Sequence, residues 1–343
     1  MITQLKNTNM KFLILGSNSF SGSHFVNEVL SKDNEVIGIS RSVEPRNVFL
    51  PYKWKKDKNS IKHKENFEFF QLDLNKDLPK IIDVIYQKKP EYIINFASQG
   101  MVAESWLNPE HWYKTNLLSQ VALHNKIRNF QFIKKYTHIS TPEIYGNTDE
   151  WIKENNNFSP TTPYSVSRAA CEMHLMSFFK AYDFPVVFTR AANVYGPGQQ
   201  LYRIIPRTIL SCISGQKLKL HGGGNSKRAF IHISDVVKAT LKISVEADPG
   251  TAWHISTNQA FSIRNIVNLI CDITNTPFNS IVEEEKERLG KDKNYLLDSS
   301  KLTDYFNWKP EIGLDEGIKD TIKWVNQNLR ELRNLPWIYE HKI

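Results

Sequence analysis

Between Ser140 and Gly146 the chain reads Ser-Thr-Pro-Glu-Ile-Tyr-Gly, and further on it reads Tyr164-Ser165-Val166-Ser167-Arg168. Pro163 suits the first turn of a helix, which puts Tyr164 and Arg168 at i and i+4 on one face. A phenol beside a fixed cation falls from its usual pKa of ~10 and becomes a base for a hydroxyl proton. Arg168 is therefore expected to pull Tyr164 downward. Glu143, in a strand-end loop after Pro142, is either a solvated carboxylate or a second proton-transfer group.

A second constellation lies near the start, where the apolar run Phe12 to Leu15 ends in Gly16-Ser17-Asn18-Ser19-Phe20-Ser21-Gly22. Glycines at such a turn let the backbone approach a pyrophosphate, whose charge then sits on the N-terminus of the next helix. Serine stands at the central position. After the second strand the chain has Ile39-Ser40-Arg41-Ser42 where an acidic residue would bind the ribose 2′-hydroxyl of NAD. A neutral Ser followed by Arg favours a 2′-phosphate, hence NADP over NAD, unless Arg41 only opens a solvated basic loop. Asp73, after the third strand, is placed either for the adenine amine or as a helix N-cap.

The elements that must position these residues follow from periodicity. Short apolar runs (Phe12 to Leu15, Glu35 to Ile39, Phe67 to Leu72, Tyr92 to Phe96, Tyr136 to Ile139, Pro185 to Thr189) alternate with helical stretches at Phe20 to Ser31, Leu78 to Lys88, Pro109 to Phe130 and Pro163 to Ala181. This beat predicts an α/β fold with a doubly wound parallel sheet. After Asn193 the loops lengthen, with helices near Ile205 to Ser214 and Ile263 to Ile270. The expected division is a dinucleotide-binding domain over 1–192, with 229–257 returning to it, and a smaller substrate-binding region over 193–228 and 258–343.

Composition bounds the function classes. The 343 residues carry a net charge of +8. Much of the excess lies in one loop between Arg41 and Glu65, where eight basic residues face three acidic ones. Such a loop reads as a solvated surface rather than a nucleic-acid site. No run approaches the ~18 apolar residues needed to span a bilayer, and Met1 to Lys11 is too polar for a signal peptide, so a cytoplasmic, membrane-free protein is expected. Cys171, Cys212 and Cys271 are too scattered for a disulfide framework or a zinc site, and His138, His221 and His232 lack metal-ligand spacing. No metal is expected. Trp106, Trp112 and Tyr113 read as core or pocket walls.

Further segments join these: Asn95-Phe96-Ala97-Ser98-Gln99, Lys114-Thr115-Asn116, Asn193-Val194-Tyr195-Gly196-Pro197, Arg228-Ala229-Phe230-Ile231-His232-Ile233-Ser234-Asp235 and Arg288-Leu289-Gly290-Lys291-Asp292-Lys293-Asn294-Tyr295. With them, nearly the whole chain resembles the extended short-chain dehydrogenase/reductase family, and within it the nucleotide-sugar 4,6-dehydratases. The resemblance implies a Rossmann-type fold holding NAD(P) on Gly16, Ser19, Phe20, Gly22, Arg41, Asp73, Leu74, Ala97, Asn116, Tyr164 and Arg168. It implies a nucleotide-diphosphate sugar on Gln99, Asn193, Arg203, Arg228, Arg288 and Asp292, and Thr141, Glu143, Tyr164 and Arg168 as catalytic residues.

The implied chemistry is an internal redox cycle. Tyr164 takes the C4 hydroxyl proton while hydride leaves C4, Thr141 holds the same hydroxyl, and Glu143 removes the C5 proton made acidic by the new ketone. Water leaves C6 and the hydride returns there. Three positions depart from the pattern: Arg168 stands where the family has Lys, Pro142 where dTDP-glucose dehydratases have Asp, and Ser19 at the central glycine. A sister decarboxylase or epimerase, or a catalytically weakened binding protein on this fold, are the rival readings. Relatives dimerise through the helices at Pro109 to Phe130 and Pro163 to Ala181, which implies a homodimer.

Overall fold

The computed structural model describes residues 9–54, 65–287 and 292–342. Lys55, Lys56, Lys58, Lys62 and Lys64 of the basic loop, and Arg288, lie outside the described residues. Seven strands form one parallel sheet in the order β10-β6-β5-β4-β1-β2-β3. They are β1 (Lys11–Leu15), β2 (Glu35–Ser40), β3 (Phe67–Gln71), β4 (Tyr92–Asn95), β5 (Lys135–Ile139), β6 (Val186–Ala191) and β10 (Ala252–Ile255).

Burial on both faces explains the unbroken apolar runs. Along β1, Phe12 and Ile14 face α1 (Phe20–Leu30) and α7 (Ile233–Glu246), packing with Phe25, Val29, Ile233 and Val237. Leu13 and Leu15 face α2 (Leu78–Lys88), α4 (Ser119–Ile127) and α5 (Pro163–Tyr182), packing with Ile81, Ile85, Leu123, Cys171 and Leu175. Successive side chains on a strand point to opposite faces, so one strand knits two helical layers together. The doubly wound α/β expectation is met.

One element differs from its expected form. The helix expected over Pro109 to Phe130 is α3 (Pro109–Tyr113), a π-helical turn (Lys114–Leu118) and α4. The wider turn turns Asn116 inward, where it is fully buried. Its Oδ1 accepts from the Gln99 N–H (2.8 Å), and its Nδ2 donates to the Gln99 carbonyl (3.1 Å) and Ser167 Oγ (3.0 Å). That clamp fixes the loop leaving β4.

A small second sheet carries the other wall of the cleft. In it β9 (Lys227–His232) pairs with β7 (Asn193–Tyr195), β11 (Ala260–Ser262) and β13 (Asn294–Tyr295). Of the stretch 229–257, therefore, α7 and β10 join the large sheet whereas β9 belongs to the small one. Helices α6 (Ile204–Ser214), α8 (Ile263–Ile273) and α11 (Leu314–Gln327) pack beside it around Ile209, Ile266, Ile270 and Trp324. Three short helices, α9 (Phe278–Ile281), α10 (Ser300–Phe306) and α12 (Leu329–Leu332), and the parallel pair of β8 (Leu218–His221) with β12 (Val282–Glu285) lie around this core.

Between the large sheet and α5 sits a fully buried ion pair. Arg190 on β6 donates from Nη2 (2.6 Å) and Nε (3.2 Å) to the two oxygens of Glu172, and both side chains are 1% exposed. Arg190 also donates to the Tyr145 hydroxyl and the Asn155 carbonyl, so the pair anchors the loop that follows the Thr141 to Tyr145 segment. Arg190→Met strands a buried carboxylate, and chemical denaturation is expected to show a loss of about 3–5 kcal/mol. The Arg190→Met/Glu172→Leu double variant is expected to lose less than the single one.

Candidate active site

The glycine turn has the form a phosphate cradle needs. Gly16 sits at φ +79°, and a Cβ there would lie 2.8 Å from the Ala97 nitrogen, so the ends of β1 and β4 could not close. At Gly22 a Cβ would lie 2.2 Å from the Gly16 carbonyl oxygen. Ser19, in the place of the central glycine, is the N-cap of α1, its Oγ accepting from Gly22 N–H (3.0 Å). The cradle that a Cβ would fill and the capped helix start together fit a dinucleotide pyrophosphate. Phe20, buried, opens that helix.

The turn is latched to β2. Ser40 Oγ accepts from the Asn18 N–H (3.0 Å) and meets Ser17 Oγ (3.3 Å), while the Asn18 amide donates to the Ser42 (2.9 Å) and Val43 (3.1 Å) carbonyls. Arg41 follows, its Nη1 donating to the Lys342 carbonyl (3.1 Å). Asp73 is not the N-cap of α2, which is Asp77. Its Oδ1 closes a turn by accepting from Asn75 N–H (2.8 Å). Leu74 is a core residue under that turn.

At the carboxyl end of β5, Thr141 Oγ1 donates to Glu143 Oε2, and the Thr141 hydroxyl lies close enough to Tyr164 to favour its ionised form. The capping box of Thr162 and Ser165, with Pro163 in the first turn, starts α5 where Tyr164 faces Thr141. Burial raises Glu143 above the ordinary carboxylate range and Asp292 adds to the rise, against pulls from its own backbone N–H, Arg228 and Arg203. The expected fall of Tyr164 is not found: burial and the Glu143 charge push it up, and Arg168 and Thr141 oppose this without cancelling it. Desolvation of the phenol is the largest cause. Arg168 is buried, with Nη2 donating to the Ile139 carbonyl and Nε without a partner among the described residues.

The substrate residues expected from the sequence divide in their behaviour. Arg203 precedes α6 and acts on both Glu143 and Tyr164. Arg228 is buried over the Tyr295 ring (4.1 Å). It donates Nη1 to the carbonyls of Lys227 (2.7 Å) and Lys293 (2.8 Å), and Nη2 to that of Asp292 (2.8 Å). A guanidinium has five N–H groups, so two stay available to a phosphate. Asp292 uses Oδ2 to accept from Thr161 (2.8 Å) and Tyr295 (2.7 Å), which makes it a brace for Arg228. Asn193 starts β7 opposite Phe230. Gln99, clamped by Asn116, donates its Nε2 to the Lys342 carbonyl (2.7 Å). Hollows of about 520 Å³ beside Tyr145 and Asn147 and about 220 Å³ beside Glu172 and Lys301 include none of these groups.

Residues 13–321 match the family described as GDP-mannose 4,6 dehydratase. The chain belongs to this family. Among curated relatives of the family, the chain is similar to a mouse dTDP-D-glucose 4,6-dehydratase (30% identity over 286 residues, 81% of this chain and 79% of the relative). It is also similar to an Arabidopsis thaliana trifunctional UDP-glucose 4,6-dehydratase/UDP-4-keto-6-deoxy-D-glucose 3,5-epimerase/UDP-4-keto-L-rhamnose-reductase (29% over 328 residues, 94% of this chain); of that relative it spans 48%, about half the length. Among solved structures, MoeE5 in complex with UDP-glucose and NAD superposes with a TM-score of 0.81 at 25% identity, over 93% of this chain and 99% of MoeE5. The dTDP-glucose 4,6-dehydratase DesIV of Streptomyces venezuelae, solved with NAD, shares the fold (TM-score 0.82, 24% identity, 93% of this chain and 98% of DesIV).

Three groups escaped the sequence reading. Tyr295 closes the Arg288 to Tyr295 stretch without a role that its type alone suggests, the Ser17–Asn18–Ser40 latch has no motif, and the segment Tyr339 to Lys342 shows itself only by its aromatic and His residues. A carboxyl raised by burial titrates above its normal range, so the acid limb of kcat/KM is expected above the ordinary value of 4.5. Arg203 stabilises the carboxylate, so Arg203→Gln must move that limb to still higher pH. A pH–rate profile of both proteins checks the sign.

Proposed function

We propose that the chain is a nucleotide-sugar 4,6-dehydratase, converting an NDP-hexose to an NDP-4-keto-6-deoxyhexose as a hydro-lyase. The observation that carries this reading is the convergence of Thr141, Glu143 and Tyr164 at the end of β5, with Glu143 raised by burial and joined to Thr141. A nicotinamide dinucleotide, when bound, accepts hydride from C4 of the sugar and returns it to C6. The cradle of Gly16, Ser19 and Gly22 supports its pyrophosphate, and Arg41 after a neutral Ser40 supports NADP over NAD.

Tyr164 takes the proton of the C4 hydroxyl, which Thr141 orients. Because its pKa is raised, its own proton must first pass to solvent; the phenolate then takes the O4 proton and gives it to C5 when the hydride returns to C6. The C4 ketone acidifies the C5 hydrogen, and Glu143 removes it. Pro142 has no proton to give, so the protonated Glu143 supplies the one that leaves with the C6 hydroxyl as water. Two protons are taken, from O4 and C5, and two are returned, to the leaving hydroxyl and to C5. Arg203 and the two unused N–H groups of Arg228 support a diphosphate beside this centre.

With Glu143→Gln, a sugar donor is expected still to generate the near-ultraviolet absorbance of reduced nicotinamide, because C4 oxidation does not need the carboxylate. Loss of water, read by mass spectrometry across dTDP-glucose, UDP-glucose, GDP-mannose and UDP-glucuronate, falls by roughly 10²–10⁴. Loss of carbon dioxide from UDP-glucuronate by the native chain would instead assign a decarboxylase. Cofactor binding without turnover of any donor would assign a binding role.

The reading extends to a homodimer. Leu118 on the π-helical turn, and Val166 and Met173 on α5, are exposed on helices that pack side by side. An apolar face of this kind supports a four-helix interface between two copies. Light scattering at micromolar concentration is expected to give a dimer for the native chain and a monomer for Met173→Asp; a native monomer would remove the idea.

A further inference from the structure

The segment after α11 crosses the cleft. Leu335 and Trp337 are partly buried against the cluster of α6, α8 and α11, and Trp337 Nε1 donates to the Leu332 carbonyl (3.2 Å). From that anchor the chain leaves the small-sheet side. Tyr339 meets the Tyr202 ring edge-on (5.4 Å), and His341 stacks on Trp112 at 5.0 Å and 9°. His341 Nε2 also shares a proton with His111 Nδ1 (2.9 Å). At the end, the Lys342 carbonyl accepts from both Arg41 Nη1 (3.1 Å) and Gln99 Nε2 (2.7 Å).

Those two donors decide what this segment does. Arg41 follows β2 and Gln99 follows β4, and in the sheet β1 lies between them. One oxygen bonded to both bridges the loops after β2 and β4, the two loops that flank the Gly16–Gly22 cradle at the end of β1. Ligands of open parallel sheets bind at that same place. The carbonyl also supplies the partner of Gln99, which is 3% exposed beneath it.

We propose that residues 339–342 are an intramolecular plug of the dinucleotide cleft, which must leave before a nicotinamide dinucleotide can enter. The inference rests on the reading of the cradle as a dinucleotide site. Beyond Leu335 the segment is held by side-chain contacts and by the two bonds to Lys342, with no backbone–backbone bond among the described residues. It is therefore built to detach as a unit while Trp337 stays anchored. Occupancy of the closed form lowers apparent cofactor affinity by the fraction of molecules that are open.

The test measures binding of NADH and NADPH by titration calorimetry to the native chain, a chain ending at Ile338, and Tyr339→Ala/His341→Ala, each with its melting curve recorded. The shortened chain is expected to bind more tightly, by about tenfold if a tenth of the native molecules are open. The double variant should move the same way by less. Hydrogen exchange on the native chain gives the second readout: cofactor should speed exchange at 339–342 and slow it at 16–23. Unchanged affinity overturns the plug, and so does weaker binding with slowed exchange at 339–342, which would make the segment a cover over bound cofactor. If no form binds either dinucleotide, the cofactor reading of the cradle falls and the plug with it.

Discussion

Everything in the cleft depends on how closely the ends of β1 and β4 approach at Gly16. The missing Cβ lets the Ala97 backbone come within the space a side chain would need, and the positive φ turns the chain into the cap of α1. The loop after β4 is thereby set beside the cradle and held there by Asn116. Because Asn116 also receives its place from the π-helical turn and touches Ser167 on α5, the same contact ties the cofactor side to the helix that carries Tyr164. Close packing resists local change, so the spacing of β1 and β4 at Gly16 and the seat of Asn116 against α5 are set together.

The large sheet was legible because its strands are buried on both faces and therefore read as continuous apolar runs, with helices between them at a 3.6 period. Phe12 to Leu15 and Leu78 to Lys88 emerge in the structure within a residue of their expected limits. The π-helical turn was not legible, since a single widened turn shifts the phase of the pattern only once, between two short helical stretches. Nor was the small sheet, whose strands β7, β11 and β13 are two or three residues long and owe their form to pairing with β9. Local propensity says little about strands that short.

In the candidate site, motif and geometry part company at Arg168. The i, i+4 argument placed Arg168 under Tyr164, and it is there, but a guanidinium reaches further than the stem spacing indicates and finds the Ile139 carbonyl. Its positive charge is spread and partly spent on that bond, while Glu143 stands close to the phenol with the opposite sign. Side-chain spacing predicts proximity. It does not predict which of two opposing charges and a desolvation cost wins.

That balance also suits Glu143 to the two proton transfers of the proposed cycle. A carboxylate in water, with a pKa near 4.5, would be a weak base for a carbon acid and a poor holder of the proton it must hand on. Burial moves Glu143 upward, and Arg203 and Arg228 limit the rise, so the carboxylate is a stronger base, and its acid a better holder of the proton, than the same group in water. In the proposed cycle, proline at position 142 removes no acid that is needed, because the proton taken from carbon is the one the leaving hydroxyl requires. The Thr141 hydroxyl, bonded to Glu143 and beside Tyr164, holds the carboxyl close to the phenol.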